Sequence, residues 1–150
     1  MPIRPWIRDD IPAVVDLLGQ LNESLGEDQE LSMEAVYEHY DFMRRHDGMY
    51  RNFVFERDGR VLGFVSVVNY RSVYHKKGTA LINELIVARE SRDAGIGTSL
   101  LRHCIDEARR EGMDEVEVGV MRGNEDAIRF YKANGVAEEY LLLGLEFSEP

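Results

Sequence analysis

The chain has 150 residues, 44% apolar and 31% charged, with 13 Gly and 4 Pro, a composition that fits one globular domain over residues 1–150 and excludes a disordered, collagen-like or coiled-coil chain. No apolar run approaches the ~20 residues of a membrane span, and the charged Arg8-Asp9-Asp10 interrupts any secretory core, so a cytoplasmic protein without membrane contact is expected. With 18 Lys and Arg against 28 Asp and Glu the net charge is −10, a field that repels a phosphate backbone and suits a cationic small molecule or peptide better than nucleic acid.

Ile3 to Ile7 reads as a strand, and Asp9 or Asp10 can cap a helix whose apolar residues Ile11, Val14, Val15, Leu17, Leu18 and Leu21 recur at three-to-four spacing. A polar, acidic loop from Asn22 to Glu30 leads to Ser32, which can cap a second helix running to about Arg45. Phe53 to Glu56 and Val61 to Tyr70 are strand-like and flank Asp58-Gly59, a strong signal for an antiparallel hairpin. After a basic loop from Arg71 to Gly78, Thr79 to Val87 forms another strand, mostly apolar but interrupted by Asn83-Glu84. Ile96, Leu100, Leu101, Cys104, Ile105 and Ala108 mark an amphipathic helix that stops at Glu111-Gly112. Val116 to Val120 alternates as a strand, Glu125 to Asn134 is a short helix ended by Gly135, and Tyr140 to Phe147 completes the order as a last strand. Helices between strands, together with a hairpin, imply an α/β (α+β) fold with a mixed sheet covered by helices.

The segment Arg92-Asp93-Ala94-Gly95-Ile96-Gly97-Thr98 lies between a strand and a helix of about four turns. Glycines two apart let backbone approach a ligand closely, and the first free amides of the helix point to the same place with the positive end of its dipole, an arrangement suited to pyrophosphate; taken alone, the segment reads also as a simple tight turn before a helix. Arg92 adds a fixed positive charge and Thr98 a hydroxyl. A Rossmann fingerprint is excluded because Leu100 stands where its third glycine belongs, and a Walker loop because Thr98-Ser99 follows in place of Lys. In the second feature, Asn124 to Gly135, an Asn opens a helix that carries Tyr131 about two turns along on a similar face; taken alone, Tyr131 reads equally as an ordinary amphipathic core residue beside Ile128.

Together these segments resemble the GCN5-related N-acetyltransferase (GNAT) family from about Val61 to the C-terminus. Leu85-Ile86-Val87, Arg92 through Gly97, Val116 to Val120, Asn124, Ala127-Ile128, Tyr131 and Gly135 fill that family's pattern in order and at its intervals. Val136 replaces the Phe usual after the glycine. The resemblance implies a GNAT-like fold with a mixed, mostly antiparallel central sheet, and acetyl-CoA as the donor. It places the pyrophosphate on the amides from Asp93 to Thr98, and the pantetheine arm along Leu85, Ile86 and Val87 where two strands splay apart, with Asn124 touching the same arm. Tyr131 then stands near the sulfur as general acid, a role its phenol suits.

An amine acceptor of pKa ~10.4 must lose a proton before it attacks a thioester. Glu84 is the candidate base, directly or through water, since burial would raise its pKa toward a useful range; the alternative, that it faces solvent, stays open. By strand alternation Asn83 faces the opposite way, so only one of the pair looks into the cleft. His39, His46, His75 and His103 read as surface or helix residues, and Cys104 as a small core residue. Neither a disulfide nor a metal site is expected from the single cysteine and the absence of paired ligand spacing. Glu23, Glu27, Asp28 and Glu30 read either as a solvated loop or as a cation-attracting rim.

The acidic charge and Phe130-Tyr131-Lys132 look like the family's polyamine branch, so a small di- or polyamine is the first expected acceptor. Aminoglycosides, amino acids, and peptide N-termini or lysines are the alternatives. A non-catalytic acyl-CoA sensor is the competing class, against which the retained phenol of Tyr131 argues. Dimers are common among enzymes of this kind, which makes a homodimer a further expectation.

Overall fold

The computed structural model describes residues 2–26 and 31–148. The chain divides into two compact units, Met1–Gly119 and Val120–Pro150.

In the first unit, strands β1 (Ile3–Pro5), β2 (Tyr50–Arg57), β3 (Arg60–Tyr70), β4 (Thr79–Val87) and β5 (Glu115–Val118) form one sheet in that order. Pairing is antiparallel from β1 through β4 and parallel between β4 and β5. The parallel step needs a crossover, and the helix α3 (Ile96–Arg110) supplies it. Asp58 and Gly59 both take left-handed backbone angles, φ 53° and 76°, so the hairpin turns in two residues with the twist the strands require.

Strand alternation sorts the side chains between two layers. Val54, Phe64 and Ile86 lie side by side on one face and pack with Val14 and Leu17 of α1 (Ile11–Leu25). Trp6 packs beside them, its ring centroid 5.3 Å from that of Phe64 and 5.1 Å from that of Tyr40 on α2 (Met33–Arg44). The other face carries Phe53, Val65 and Val67 toward α3, where His103 meets Phe53 edge-on at 4.5 Å. A Cβ on Gly63 would lie 2.8 Å from Leu100 Cδ1 and 3.1 Å from Ile96 Cγ2, so this glycine lets the start of α3 lie close on β3. Gly63→Val is expected to destabilise the fold by about 1–3 kcal/mol through overpacking, read as a lower urea midpoint with the slope unchanged.

Ser32 caps α2 as the sequence implies, its Oγ accepting from Ala35 N at 3.0 Å. The expected cap by Asp9 or Asp10 is not made. Asp10 instead turns back to accept from Ile7 N and from the guanidinium of Arg4, at 2.8 and 2.8–2.9 Å. Those bonds outbid the cap because they satisfy a buried carboxylate with a cation, which also donates to Glu56 at 2.7 Å.

The second unit contains α4 (Glu125–Ala133). The last strand expected over Tyr140 to Phe147 is not formed: these residues have no regular structure, and Leu142 and Phe147 are 91% and 86% exposed. A strand needs a partner edge for its N–H and C=O groups, and no pairing engages this run among the described residues.

Candidate active site

The glycine turn closes β4 into α3 with two unusual backbone conformations, Asp93 at φ 66° and Gly95 at φ 79°. Gly95 is the residue before α3 and has no side chain to cap it; the first helical bond is Ser99 N to Gly95 O at 3.0 Å. The amides of Ile96, Gly97 and Thr98 therefore have no carbonyl of their own helix to bond, and they point outward with the dipole behind them. Arg92 is exposed and its Nε donates to Val87 O at 3.4 Å, which holds the cation at the end of β4. On the other side of the turn, Arg89 N donates to Gln20 Oε1 at 2.8 Å and the Arg89 side chain pairs with Glu23. The turn is thus tethered to α1.

β5 pairs only with Thr79–Ile82 of β4, and from Asn83 to Val87 strand β4 runs on past its last β5 partner. At that point the β3–β4 register slips: Ser66 stands opposite Glu84 and Val67 opposite Ile82, leaving Asn83 as an extra residue. Such a bulge kinks a strand and re-aims the side chain beside it. Ala80 lies on the α3 face, and Ile82 with it through its pairing with Val67. In a regular strand Glu84 would follow them there; with Asn83 bulged, Glu84 shares the opposite face with Ile86, toward α1. Asn83, the residue left without a β3 partner, is exposed, and Glu84 is half-buried. The Oγ of Ser66 donates to Glu84 Oε2 and accepts from Glu84 N at 3.2 Å. One hydroxyl thus fixes both the carboxylate and the bulged backbone.

In the second unit, Asn124 Oδ1 caps α4 by accepting from Ala127 N at 3.2 Å, so its carbonyl serves the helix and its NH2 is the group that can donate elsewhere. Asn124, Ala127, Ile128 and Tyr131 follow the three-to-four spacing of one helix face, and Tyr131 is the buried member. Phe130 meets it at 5.2 Å in an edge-on contact.

The structure therefore brings Glu84, Leu85 to Val87 and Arg92 to Thr98 together within the first unit, and sets Asn124 and Tyr131 on one helix in the second. Cys104 is buried in α3 and its thiol is pushed up to about 12 by desolvation, as suits an inert core residue. His75 Nε2 lies 3.2 Å from Glu115 Oε1 at the sheet edge. Of the acidic rim, Glu23 is the partner of Arg89, while Glu27, Asp28 and Glu30 lie outside the described residues. A cleft of about 370 Å³ opens between the start of α1 and the β2–β3 turn, lined by Asp9, Asp16, Gln20, Glu56 and Glu90 among others. Neither Glu84 nor the glycine turn reaches it, and open volume is a poorer guide to the chemistry here than the bulge. Among the described residues no helix is long and apolar enough to cross a membrane, and no group of three or more His, Cys, Asp or Glu is placed to hold a metal ion.

The sequence reading missed Ser66 and its neighbour Asn52. Both sit in strands whose polar positions pass for ordinary alternation until the register aligns them.

Comparison with known proteins gives a consistent result. The family model described as Acetyltransferase (GNAT) family matches residues 13–136. A Methanocaldococcus jannaschii protein described as an uncharacterised N-acetyltransferase is 38% identical over 93 residues; the match takes in 61% of this chain and spans only 41% of that protein's length. The aminoalkylphosphonate N-acetyltransferase of Salmonella typhimurium is 26% identical over 89% of this chain and 92% of its own. In fold, the crystal structure of glucosamine-6-phosphate N-acetyltransferase from Arabidopsis thaliana superposes with a TM-score of 0.81 at 18% identity, covering 97% of both chains.

Proposed function

The chain belongs to the acetyltransferase (GNAT) family, and from that membership we propose that it moves the acetyl group of acetyl-CoA to the primary amine of a small cationic substrate, a di- or polyamine first, by direct attack. The observation that carries this reading is the bulge at Asn83, which turns a carboxylate toward the α1 face beside the stretch of β4 left free of β5.

The uncapped amides at the start of α3 and the exposed guanidinium of Arg92 fit the pyrophosphate of the donor. Asp93, Ala94 and Gly95 shape the turn that presents Ile96, Gly97 and Thr98. The free edge of Leu85, Ile86 and Val87 fits the amides of the pantetheine arm, to which Asn124 adds a donor. Glu84 takes the ammonium proton, held in place by Ser66. The freed nitrogen lone pair forms the N–C bond at the thioester carbonyl, and the resulting tetrahedral intermediate expels sulfur as the C–S bond breaks. Tyr131 gives its phenolic proton to the departing thiolate and is reprotonated, through water, by the second proton that the nitrogen sheds as the amide forms, while the proton taken by Glu84 leaves to solvent.

The kinship with an aminoalkylphosphonate N-acetyltransferase favours a second acceptor class, an amine bearing an acidic group. A thiol-release assay with acetyl-CoA separates the two when run on polyamines, aminoalkylphosphonates, aminoglycosides, amino acids and peptides. Turnover of the polyamines is the expected result, and turnover of aminoalkylphosphonates alone would transfer the assignment to the second class. Calorimetric binding of CoA with no turnover of any amine would overturn the enzyme reading in favour of a sensor.

A further inference from the structure

Three strands place polar side chains in one row on the α1–α2 face of the sheet. Asn52 of β2 stands opposite Ser66 of β3, which stands opposite Glu84 of β4. The next row is wholly apolar, Val54, Phe64 and Ile86 under α1, so the polar row is a deliberate break in a packed face. Asn52 and Ser66 are only 5% and 6% exposed. The Asn52 NH2 donates to Met43 Sδ on α2 at 3.2 Å. Its Oδ1 is buried with no hydrogen-bond partner among the described residues. A buried amide oxygen left unpaired is costly, so such groups normally have a partner.

We infer that Asn52 Oδ1 is a specificity contact for the acceptor: it receives an N–H or O–H from a second polar group of the amine, while the reacting nitrogen lies at Glu84. The inference rests on the acetyltransferase reading above and deepens it. Two strand spacings separate the two positions, roughly 10 Å, the reach of an extended diamine or amino alcohol. The row offers a carboxylate, a hydroxyl and an amide oxygen, all able to accept from a cation or a neutral donor. Arg51, the cation adjoining Asn52 in sequence, lies on the opposite face in an ion pair with Glu111, so the row is built for a second donor and not for a second anion. Met43, which stands against Asn52, is unbranched and adaptable, and can repack around substrates of different length.

The test compares α,ω-diamines with monoamines of equal length on the whole protein, as wild type, Asn52→Leu and Asn52→Asp. The expected result is a wild-type KM lower for the diamine, and in Asn52→Leu a diamine KM raised about tenfold, as for one lost hydrogen bond to a charged group. The monoamine KM, the acetyl-CoA KM and kcat should stay near wild type. Asn52→Asp, which keeps an acceptor oxygen, should retain the diamine preference, and it carries the test if the leucine variant fails to fold by circular dichroism. Equal diamine and monoamine KM values in the wild type, or no shift in Asn52→Leu despite robust turnover, would overturn the inference and leave the acetyltransferase reading standing. Absence of turnover on every amine would instead overturn that reading, and this inference with it.

Discussion

Tyr131→Phe is expected to lower kcat about 100-fold while leaving the affinity for CoA unchanged, the low end of the range for general acid catalysis. The modest size follows from the leaving group. A thiol has a pKa near ~8.5, so CoA can depart as thiolate with some ease at neutral pH, and the phenol speeds a step that is already feasible. The substitution keeps the ring, so the edge-on contact with Phe130 and the burial of that face of α4 survive. Single-turnover kinetics separates the chemical step from product release, and calorimetry with CoA reports binding. Retention of kcat within roughly threefold of wild type would remove Tyr131 from the chemistry, since a difference that small is below what a proton donor contributes.

The second large effect is expected at Glu84. Glu84→Gln preserves the shape and leaves Ser66 a carbonyl to bond, but it removes the acceptor for the ammonium proton. The rate at neutral pH should fall by about 10²–10⁴-fold. The loss should also depend on pH in a way that a purely structural defect would not. Without a base the enzyme must wait for neutral amine, so the activity of the variant should rise about tenfold per pH unit towards the amine pKa of ~10.4, and its deficit should shrink as it rises. A deficit constant across pH, with an unchanged melting temperature, would show that Glu84 shapes the strand without taking the proton. Ser66→Ala should show a weaker version of the same profile, because it frees the carboxylate to rotate.

These residues were not equally legible from the sequence. Asp58-Gly59 specifies its hairpin because both positions need backbone angles few residues tolerate, and Ser32 specifies its cap through one local bond. The glycine turn is legible for the same reason: its chemistry is written within a few consecutive residues. Glu84 could be named but not aimed, because its face depends on how β4 registers against β3, a contact between segments far apart in sequence. Asn52 was invisible for a related reason. Alternation tells which face of a strand a residue occupies, and only the register tells which residues of other strands stand beside it. Tyr140 to Phe147 failed in the opposite direction: its apolar run satisfies a local pattern, but a ladder needs a second strand.

The bulge at Asn83 also separates two things usually encoded together, the identity of a residue and the length of the chain. Removing Asn83 would leave every other side chain of β4 on its present face, because the extra residue is what the register already skips. What would vanish is the local bend, and with it the cause of any departure of Asn83 to Val87 from the line of Thr79–Ile82, the stretch that follows β5. An exposed asparagine whose side chain makes no hydrogen bond among the described residues could be replaced freely and still be indispensable, since its contribution is a count. Mutational scanning by substitution would score this position as neutral; scanning by single-residue deletion would find it.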